Sequence, residues 1–167
     1  MKLSDAMKNK NILIQDVGEQ QEVDRFFYHN VYRRPQYPRQ DQTIDFFAPY
    51  FTAAAQEKRG VRGISCYAPI LKIYLGQPSA AQRYISQHKS EFEIQFGSQL
   101  VHKWESGLQI ADDSSEQTYY FLGEPIDIPN PILKETSGIL RLSPQLPGNM
   151  LKPMSDFCNV AGVTDYI

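Results

Sequence analysis

The sequence predicts an α+β fold that is mostly β: a single bent mixed β-barrel with one or two short helices. One basis is composition, because ten Tyr and nine Phe against one Trp favour strands over a helical bundle. The other is the stretch from Arg62 to Gly76, in which apolar and polar residues alternate but the apolar face changes parity near Pro69. A strand changes parity through a bulge, and bent, bulged strands form the corners of small barrels.

This stretch is predicted to be the central, buried strand. Pro69 lies at the change of parity, as expected for a residue that cannot donate a ladder hydrogen bond and is confined to sheet edges and bulges. The side chains predicted to face the core are Ile64, Cys66 and Ala68 before the bulge, and Leu71, Ile73 and Leu75 after it.

The chain of 167 residues is long enough for one hydrophobic core and short for two domains. Residues 1–11 are polar, and we expect a flexible N terminus there. Residues 12–167 are predicted to form one domain with an extended C-terminal tail.

Four segments precede the central strand. Residues 12–17 are predicted to form a short strand. Residues 22–34 fit both a helix and a strand, and the strand is favoured. Residues 33–39 contain two prolines and are predicted to be a loop, because each proline moves its predecessor out of helical conformation. Residues 43–51 are predicted to form an aromatic strand, and residues 52–59 a short helix or turn.

A helix is predicted directly after the central strand. Pro78 begins it, and an apolar stripe at positions i, i+3, i+4 and i+7 starts at Ala81. Residues 91–96 alternate Phe or Ile with Glu or Gln and are predicted to form a half-buried strand. Residues 100–104 are a candidate for another strand.

The last third of the chain is predicted to be largely extended. Residues 108–110 and 118–122 flank an acidic turn at 112–116 and are predicted to pair as a hairpin. Residues 123–132 contain three prolines, so this segment is predicted to run along an edge of the sheet. The tail contains a brief apolar run at residues 138–142.

Charge and cysteine content restrict the function classes. The net charge of −2 argues against a general polycationic coat for nucleic acid, but residues 25–62 carry a net charge of +4 and residues 105–135 a net charge of −6. Two cysteines do not make a disulfide framework, which indicates a reducing compartment. The chain shows no signal-peptide pattern and no run of eighteen apolar residues, so we expect a cytoplasmic protein without a membrane partner.

The sequence holds few groups suited to catalysis. It contains no phosphate-binding glycine loop and no zinc-protease or serine-hydrolase motif. His29, His88 and His102 are far apart in sequence, and Cys66 lies in a predicted core strand. We therefore expect a protein that is not an enzyme and that has no cofactor and no metal site.

A basic, aromatic stretch is the strongest candidate site. Aromatic rings between cations are what base stacking and phosphate neutralisation require. The alternative is that the rings are rim packing and the arginines belong to a solvated loop. The candidate nucleic-acid-binding residues are Arg33, Arg34, Tyr37 and Arg39, extended by Lys58, Arg59 and Arg62, with Tyr67 of the central strand as part of an aromatic pocket beside that strand for a base.

Three segments also carry a resemblance to a known family. Residues 44–49, 62–70 and 119–132 resemble the small PUA-like (ASCH/EVE-type) domains that accompany restriction and other defence nucleases in bacteria. The resemblance implies a bent mixed β-barrel that binds nucleic acid, DNA or RNA, often around a modified or flipped base. No nuclease motif is attached, and the tail lacks the Arg-rich strand expected after residue 132.

Two functional hypotheses follow. The first is a non-catalytic nucleic-acid-binding module of a bacterial defence or nucleic-acid-processing system, which grips the backbone with the basic loop. The alternative is a structural or adaptor subunit of a larger protein or ribonucleoprotein complex, in which the aromatic loop and the acidic hairpin are protein interfaces.

Overall fold

The computed structural model describes residues 9–35, 44–51, 63–108, 115–132 and 149–163. Strand and helix content are about equal in these ranges. In chain order the elements are β1 (Asn11–Val17), α1 (Gln20–His29), β2 (Val31–Arg34), β3 (Phe46–Phe51), β4 (Ile64–Gly76), α2 (Pro78–Gln87), α3 (Lys89–Phe96), α4 (Ser98–Leu108), β5 (Gln117–Leu122), β6 (Ile126–Ile132), β7 (Asn149–Pro153) and α5 (Met154–Ala161).

The seven strands form one mixed, curled sheet, which makes a half-barrel. The order is β2-β5-β4-β3-β1-β7, and β6 pairs with β4 outside this order. Strands β1 and β3 are parallel, and the other pairs are antiparallel. The predicted α+β class with a bent mixed sheet is confirmed. The predicted number of helices is too low, because five helices occur within the described ranges.

Strand β4 organises this sheet, as the sequence predicted. It pairs with β6 near Cys66, with β3 at Ala68 and Pro69, and with β5 from Ile70 onward. The register with β5 shifts between Ile70 and Lys72, directly after Pro69, which confirms the predicted bulge. A second register shift lies between Ile64 and Cys66 in the pairing with β6.

The predicted inward face beyond the bulge is wrong for Ile73 and Leu75, whereas Leu71 packs, partly buried, against a core cluster. Ile73 is 37% exposed and Leu75 is 39% exposed. The helices instead cover the opposite face, where the ring of Tyr74 stacks on Tyr84 at 4.5 Å between centroids. Lys72 lies on that same face, with Nζ 5.4 Å from the ring centre of Phe92. Tyr and Lys can take the covered positions because their apolar bodies pack while their polar ends reach out.

The helices following β4 were partly predicted. Helix α2 is confirmed, with Pro78 in its first turn and its apolar stripe facing the core. Residues 91–96 are helical rather than extended. Phe92 is buried on α3 and Phe96 packs partly buried against the same cluster, whereas Ile94 is 89% exposed, so two of the three apolar residues face the core. Phe92 and Phe96 are four residues apart, which fits the period of a helix as well as that of a strand. Packing against the rest of the protein decides in favour of the helix.

Helix α4 also replaces a strand proposed for residues 100–104. Its buried residues Val101, Trp104 and Leu108 follow helical spacing. The Trp104 indole Nε1 donates a hydrogen bond to the carbonyl of Leu122 at 3.1 Å. At Gly107 the helix approaches α1 so closely that a Cβ atom there would lie 2.7 Å from the Cβ of His29.

Residues 22–34 contain both a helix and a strand, so the favoured strand is wrong for residues 22–29, and Arg33 and Arg34 belong to strand β2 and not to the predicted loop. The segment is helical to His29 and then turns at Asn30, which adopts the left-handed conformation (φ 54°, ψ 40°). Asn and Gly are the residues that tolerate this conformation at a helix end. The chain then continues as β2. The first part of the segment is therefore a helix and the last part is a strand.

Segment 123–132 is extended, as its prolines predicted, because β6 is a strand alongside β4 rather than a member of the main strand order.

Helix α5, near the C terminus, was not predicted. Phe157 and Ala161 of α5 pack with Ile12 and Ile132 in one apolar cluster. The described residues include no helix with the length and apolarity needed to span a membrane. Predictions for residues 1–8, 52–59, 112–114 and 138–142 lie outside the described residues.

Candidate functional site

A cavity of about 460 Å³ lies where β1 ends and α1 begins. One wall comes from the turn between these two elements, and the facing wall comes from β2 and the first residue of β5. Its volume falls in the range of about 300–1,000 Å³ that is typical of small-ligand sites. The lining residues are Asp16, Val17, Gly18, Glu19, Glu22, Tyr32, Arg33, Pro35 and Gln117.

The path of the chain explains why these residues meet. The carbonyl of Glu19 accepts the amides of Glu22 and Val23, each at 3.0 Å, which starts α1 directly after β1. The left-handed turn at Asn30 then reverses the chain. The first turn of α1 and the end of β2 are therefore brought side by side, although they lie about a dozen residues apart.

The centre of this arrangement is a carboxylate shared by two guanidinium groups. Oε1 of Glu22 accepts from Arg25 and from Nε of Arg33, the latter at 3.2 Å. The Arg25 side chain is only 2% exposed. Burial by itself lowers the pKa of Arg33, but the Glu22 carboxylate more than offsets this, so the pKa lies above its usual value. Arg33 therefore remains charged inside the fold.

The structure places Arg33 and Arg34 on opposite faces of β2. Arg33 lines the cavity, whereas Arg34 is 8% exposed and its Nε donates to the hydroxyl of Tyr120 at 3.1 Å. The guanidinium carbon of Arg34 lies 5.5 Å from the centre of the Tyr120 ring. Successive residues of a strand point to opposite sides, and Arg34 is not among the described residues that line the cavity.

Tyr67 is separated from both arginines. It is 5% exposed, and its ring packs edge-on against Phe46 at 5.9 Å and Phe157 at 5.7 Å. It belongs to the apolar cluster on the α5 side of the sheet and does not line the cavity. The other five candidate residues, Tyr37, Arg39, Lys58, Arg59 and Arg62, lie outside the described residues.

Sequence reasoning missed the acidic half of the cavity. Asp16, Glu19 and Glu22 are lining residues, and none of them belonged to the candidate set. The available signal was the i, i+3 spacing of Glu22 and Arg25, which pairs opposite charges on one helical face. That signal appears only once residues 20–29 are taken as a helix.

The described part of the chain shows no metal-binding cluster and no activated thiol. No cluster of three or more His, Cys, Asp or Glu suited to a metal ion occurs in it. Both cysteines are buried free thiols. Burial raises the pKa of Cys66 to about 12 and that of Cys158 to about 11. A thiol with a raised pKa is the opposite of an activated nucleophile.

The raised pKa of Cys66 has a measurable consequence for stability. Its usual value of 9.0 applies to the unfolded chain, whereas the folded value is about 12. The stabilising effect is complete below pH 9 and is lost as the pH rises towards 12, because the unfolded state loses its proton first. Stability should therefore fall by about 1.4 kcal/mol per pH unit from this group alone.

Replacing Cys66 with alanine should remove this contribution. Urea denaturation at several values between pH 9 and pH 11 should give a shallower fall in the free energy of unfolding for Cys66→Ala than for the unmodified chain. Removing the sulfur also leaves a cavity. This cavity lowers the free energy of unfolding by the same amount at every pH, so it does not change the slope against pH. Parallel curves would contradict a raised thiol pKa.

Comparison with known proteins identifies the fold. No family model matches the chain, and no curated protein matches it. Among solved structures, a serine-to-alanine mutant of the ASCH protein from Zymomonas mobilis is 13% identical; the match covers 95% of this chain and 99% of that chain, with a TM-score of 0.50. The N-terminal domain of McrB from Staphylothermus marinus is 10% identical over 90% of this chain and 92% of that chain, also at 0.50.

At such low identity the likeness concerns the fold alone. It nevertheless extends over nearly the whole of both chains in each case. The bent mixed sheet that the sequence resemblance implies is also the sheet that the seven strands of this chain form. This chain has the PUA-like fold of the ASCH domains.

Proposed function

We propose that this chain is a non-catalytic nucleic-acid-binding module. The observation that carries the proposal is the position of Arg33 on the wall of a 460 Å³ cavity, directly before the basic, aromatic sequence of residues 34–39. Cations beside a base-sized recess are what a protein needs to hold a strand by its phosphates and admit one base. The PUA-like resemblance implies the same class of ligand.

The proposal assigns different roles to the candidate residues. Arg39, Lys58, Arg59 and Arg62 are proposed to neutralise phosphates. Arg34 is proposed to fix the base of the loop, because its guanidinium is committed to Tyr120. The recess for a base is proposed to be the cavity beside Tyr32, since the burial of Tyr67 between two rings leaves no room for stacking there.

The cellular setting is part of the proposal. Two buried free thiols suit a reducing compartment, so we place the module in the cytoplasm. A role in bacterial defence or nucleic-acid processing follows from the resemblance alone. The described residues that line the cavity include no His, Cys, Ser or Lys, and one of its three carboxylates, Glu22, is bound to two arginines, so we propose binding and no catalytic step.

The proposed phosphate-binding residues predict how binding depends on salt. Replacing Arg39 and Arg62 with alanine should lower the slope of log affinity against log salt by about two, because each arginine is assigned one phosphate. Fluorescence anisotropy with single- and double-stranded DNA and RNA at several salt concentrations measures this slope. The matched control is Arg83→Ala/Lys89→Ala, which removes two exposed cations from helices α2 and α3 and should leave the slope unchanged.

A protein-binding role is the second candidate. It is favoured by Ile94, which projects from α3 with 89% of its surface exposed. Absence of binding to every nucleic acid at low salt would overturn the first proposal. A partner on pull-down, absent with Ile94→Asp, would then support an adaptor in a larger protein or ribonucleoprotein complex.

A further inference from the structure

The charge on the cavity wall is opposite to what a phosphate requires. Three lining residues are carboxylates and one, Arg33, is a cation. Nε of that cation is already bound to one of the carboxylates at 3.2 Å. An anion in this cavity would meet net repulsion in a partly buried setting, where charges are weakly screened. The cavity therefore suits a neutral or cationic group with N–H donors.

Glu19 is the carboxylate best placed to receive such donors. It precedes α1 at the position where a side chain commonly caps the helix, but it makes no side-chain cap hydrogen bond. Its side chain is exposed and lines the cavity. Arg25 and Arg33 both bind Oε1 of Glu22, and its Oε2 is buried without a hydrogen-bond partner among the described residues, so this carboxylate is less accessible to a ligand than the exposed Glu19. A carboxylate outside such a network can accept two parallel N–H bonds.

We propose that the cavity recognises guanine, with Glu19 accepting from the N1–H and N2–H groups of the base. This inference rests on the proposed function, because it names the base that the module admits. Guanine presents two adjacent N–H donors on its Watson–Crick edge, which match the two oxygens of one carboxylate. It also presents O6 and N7 acceptors, which are the usual partners of an arginine, and Arg33 lies on the facing wall of the cavity.

Inosine is the sharpest probe of this contact, since it differs from guanosine only by lacking the N2 amino group. Short single-stranded oligonucleotides with one central guanine should bind more tightly than the same oligonucleotides with inosine, by between about fivefold and 100-fold. Adenine and uracil at that position should bind no better than inosine. Free guanosine and free inosine, followed by NMR titration, test the cavity without a phosphate backbone.

Glu19→Gln is the matched variant. It keeps the shape of the side chain and replaces one acceptor oxygen with a donor, so it should abolish the difference between guanine and inosine. It should leave the salt slope unchanged, since Glu19 is not assigned to a phosphate. Glu91→Gln, an exposed carboxylate on α3, is the control. Thermal unfolding of both variants shows whether the fold is intact.

The outcomes separate the two proposals. Oligonucleotide binding with equal affinity for guanine and inosine overturns guanine recognition and leaves the nucleic-acid module standing. Binding of free guanosine that Glu19→Gln removes, without binding of any oligonucleotide, supports the guanine site and overturns the nucleic-acid module. Absence of both kinds of binding overturns both.

Discussion

Replacing Trp104 with alanine is expected to lower the free energy of unfolding by about 3–5 kcal/mol, as is typical of large aromatic side chains in cores. Trp104 is fully buried. Its ring packs against Phe96 at 5.6 Å, Phe121 at 5.4 Å and Phe92 at 6.3 Å between centroids. Truncation would remove this packing and leave a cavity between α3, α4 and β5.

The indole N–H adds a polar contribution. It donates to the carbonyl of Leu122, and the amide of Leu122 in turn donates to the carbonyl of Asn30 at 2.9 Å. Next along the chain, the carbonyl of Gly123 accepts from Nδ2 of Asn30 at 3.1 Å. Trp104 therefore supports the turn that leads from α1 into β2, and with it the position of Arg33.

The measurement is urea denaturation followed by circular dichroism, because the variant lacks the only Trp of the chain. Trp104→Phe should lower the free energy of unfolding less than Trp104→Ala does, because it keeps one ring and removes only the hydrogen bond and part of the ring system. His102→Ala, an exposed change on the same helix, should have an effect within about 0.5 kcal/mol. A decrease below about 1 kcal/mol for Trp104→Ala would contradict a core role for this side chain.

The positions of the prolines in the sequence predicted three features of this fold. Pro69 marks the bulge in β4, Pro78 marks the start of α2, and the prolines of residues 123–132 keep β6 out of the main strand order. Proline acts locally, by fixing one dihedral angle and removing one donor. Its effect can therefore be inferred without knowing what packs against it.

The errors arose where packing decided between two local choices. The run of Phe92, Ile94 and Phe96 fits a strand, but α3 buries Phe92 and exposes Ile94. Similarly, Lys72 and Tyr74 face the helices while Ile73 does not. In both cases the choice depended on how helices α2 to α4 pack against the sheet, and the local pattern of residues does not contain that information.

The candidate site was half predictable for a related reason. Composition located the basic stretch around Arg33, since charge is visible in the sequence. It gave no indication that Arg34 would point to the opposite face, because residues 22–34 had not been divided between a helix and a strand. The acidic wall contributed by Asp16, Glu19 and Glu22 depends on the same division.

Removing the carboxylate of Glu22 is expected to have an effect as large as the truncation of Trp104. In Glu22→Ala the guanidinium of Arg25, 2% exposed, would stay buried without its partner. Breaking a buried ion pair from one side costs about 3–5 kcal/mol, chiefly because an uncompensated charge remains in a medium of low dielectric constant. Surface pairs contribute far less, so the control is Glu124→Ala, which removes the exposed partner of Lys103.

A double variant distinguishes this cause from a simple loss of packing. Glu22→Leu/Arg25→Met replaces Glu22 and its most deeply buried partner with apolar side chains and leaves Arg33, 11% exposed at the cavity, as the cation that loses Glu22. This double variant should be markedly more stable than Glu22→Ala, since an apolar pair in place of a buried ion pair is often neutral. Denaturation at low and high salt should give similar differences, because buried charges are weakly screened. If the double variant is no more stable than Glu22→Ala, the cost lies in packing around residue 22 and the buried charge of Arg25 is not its source.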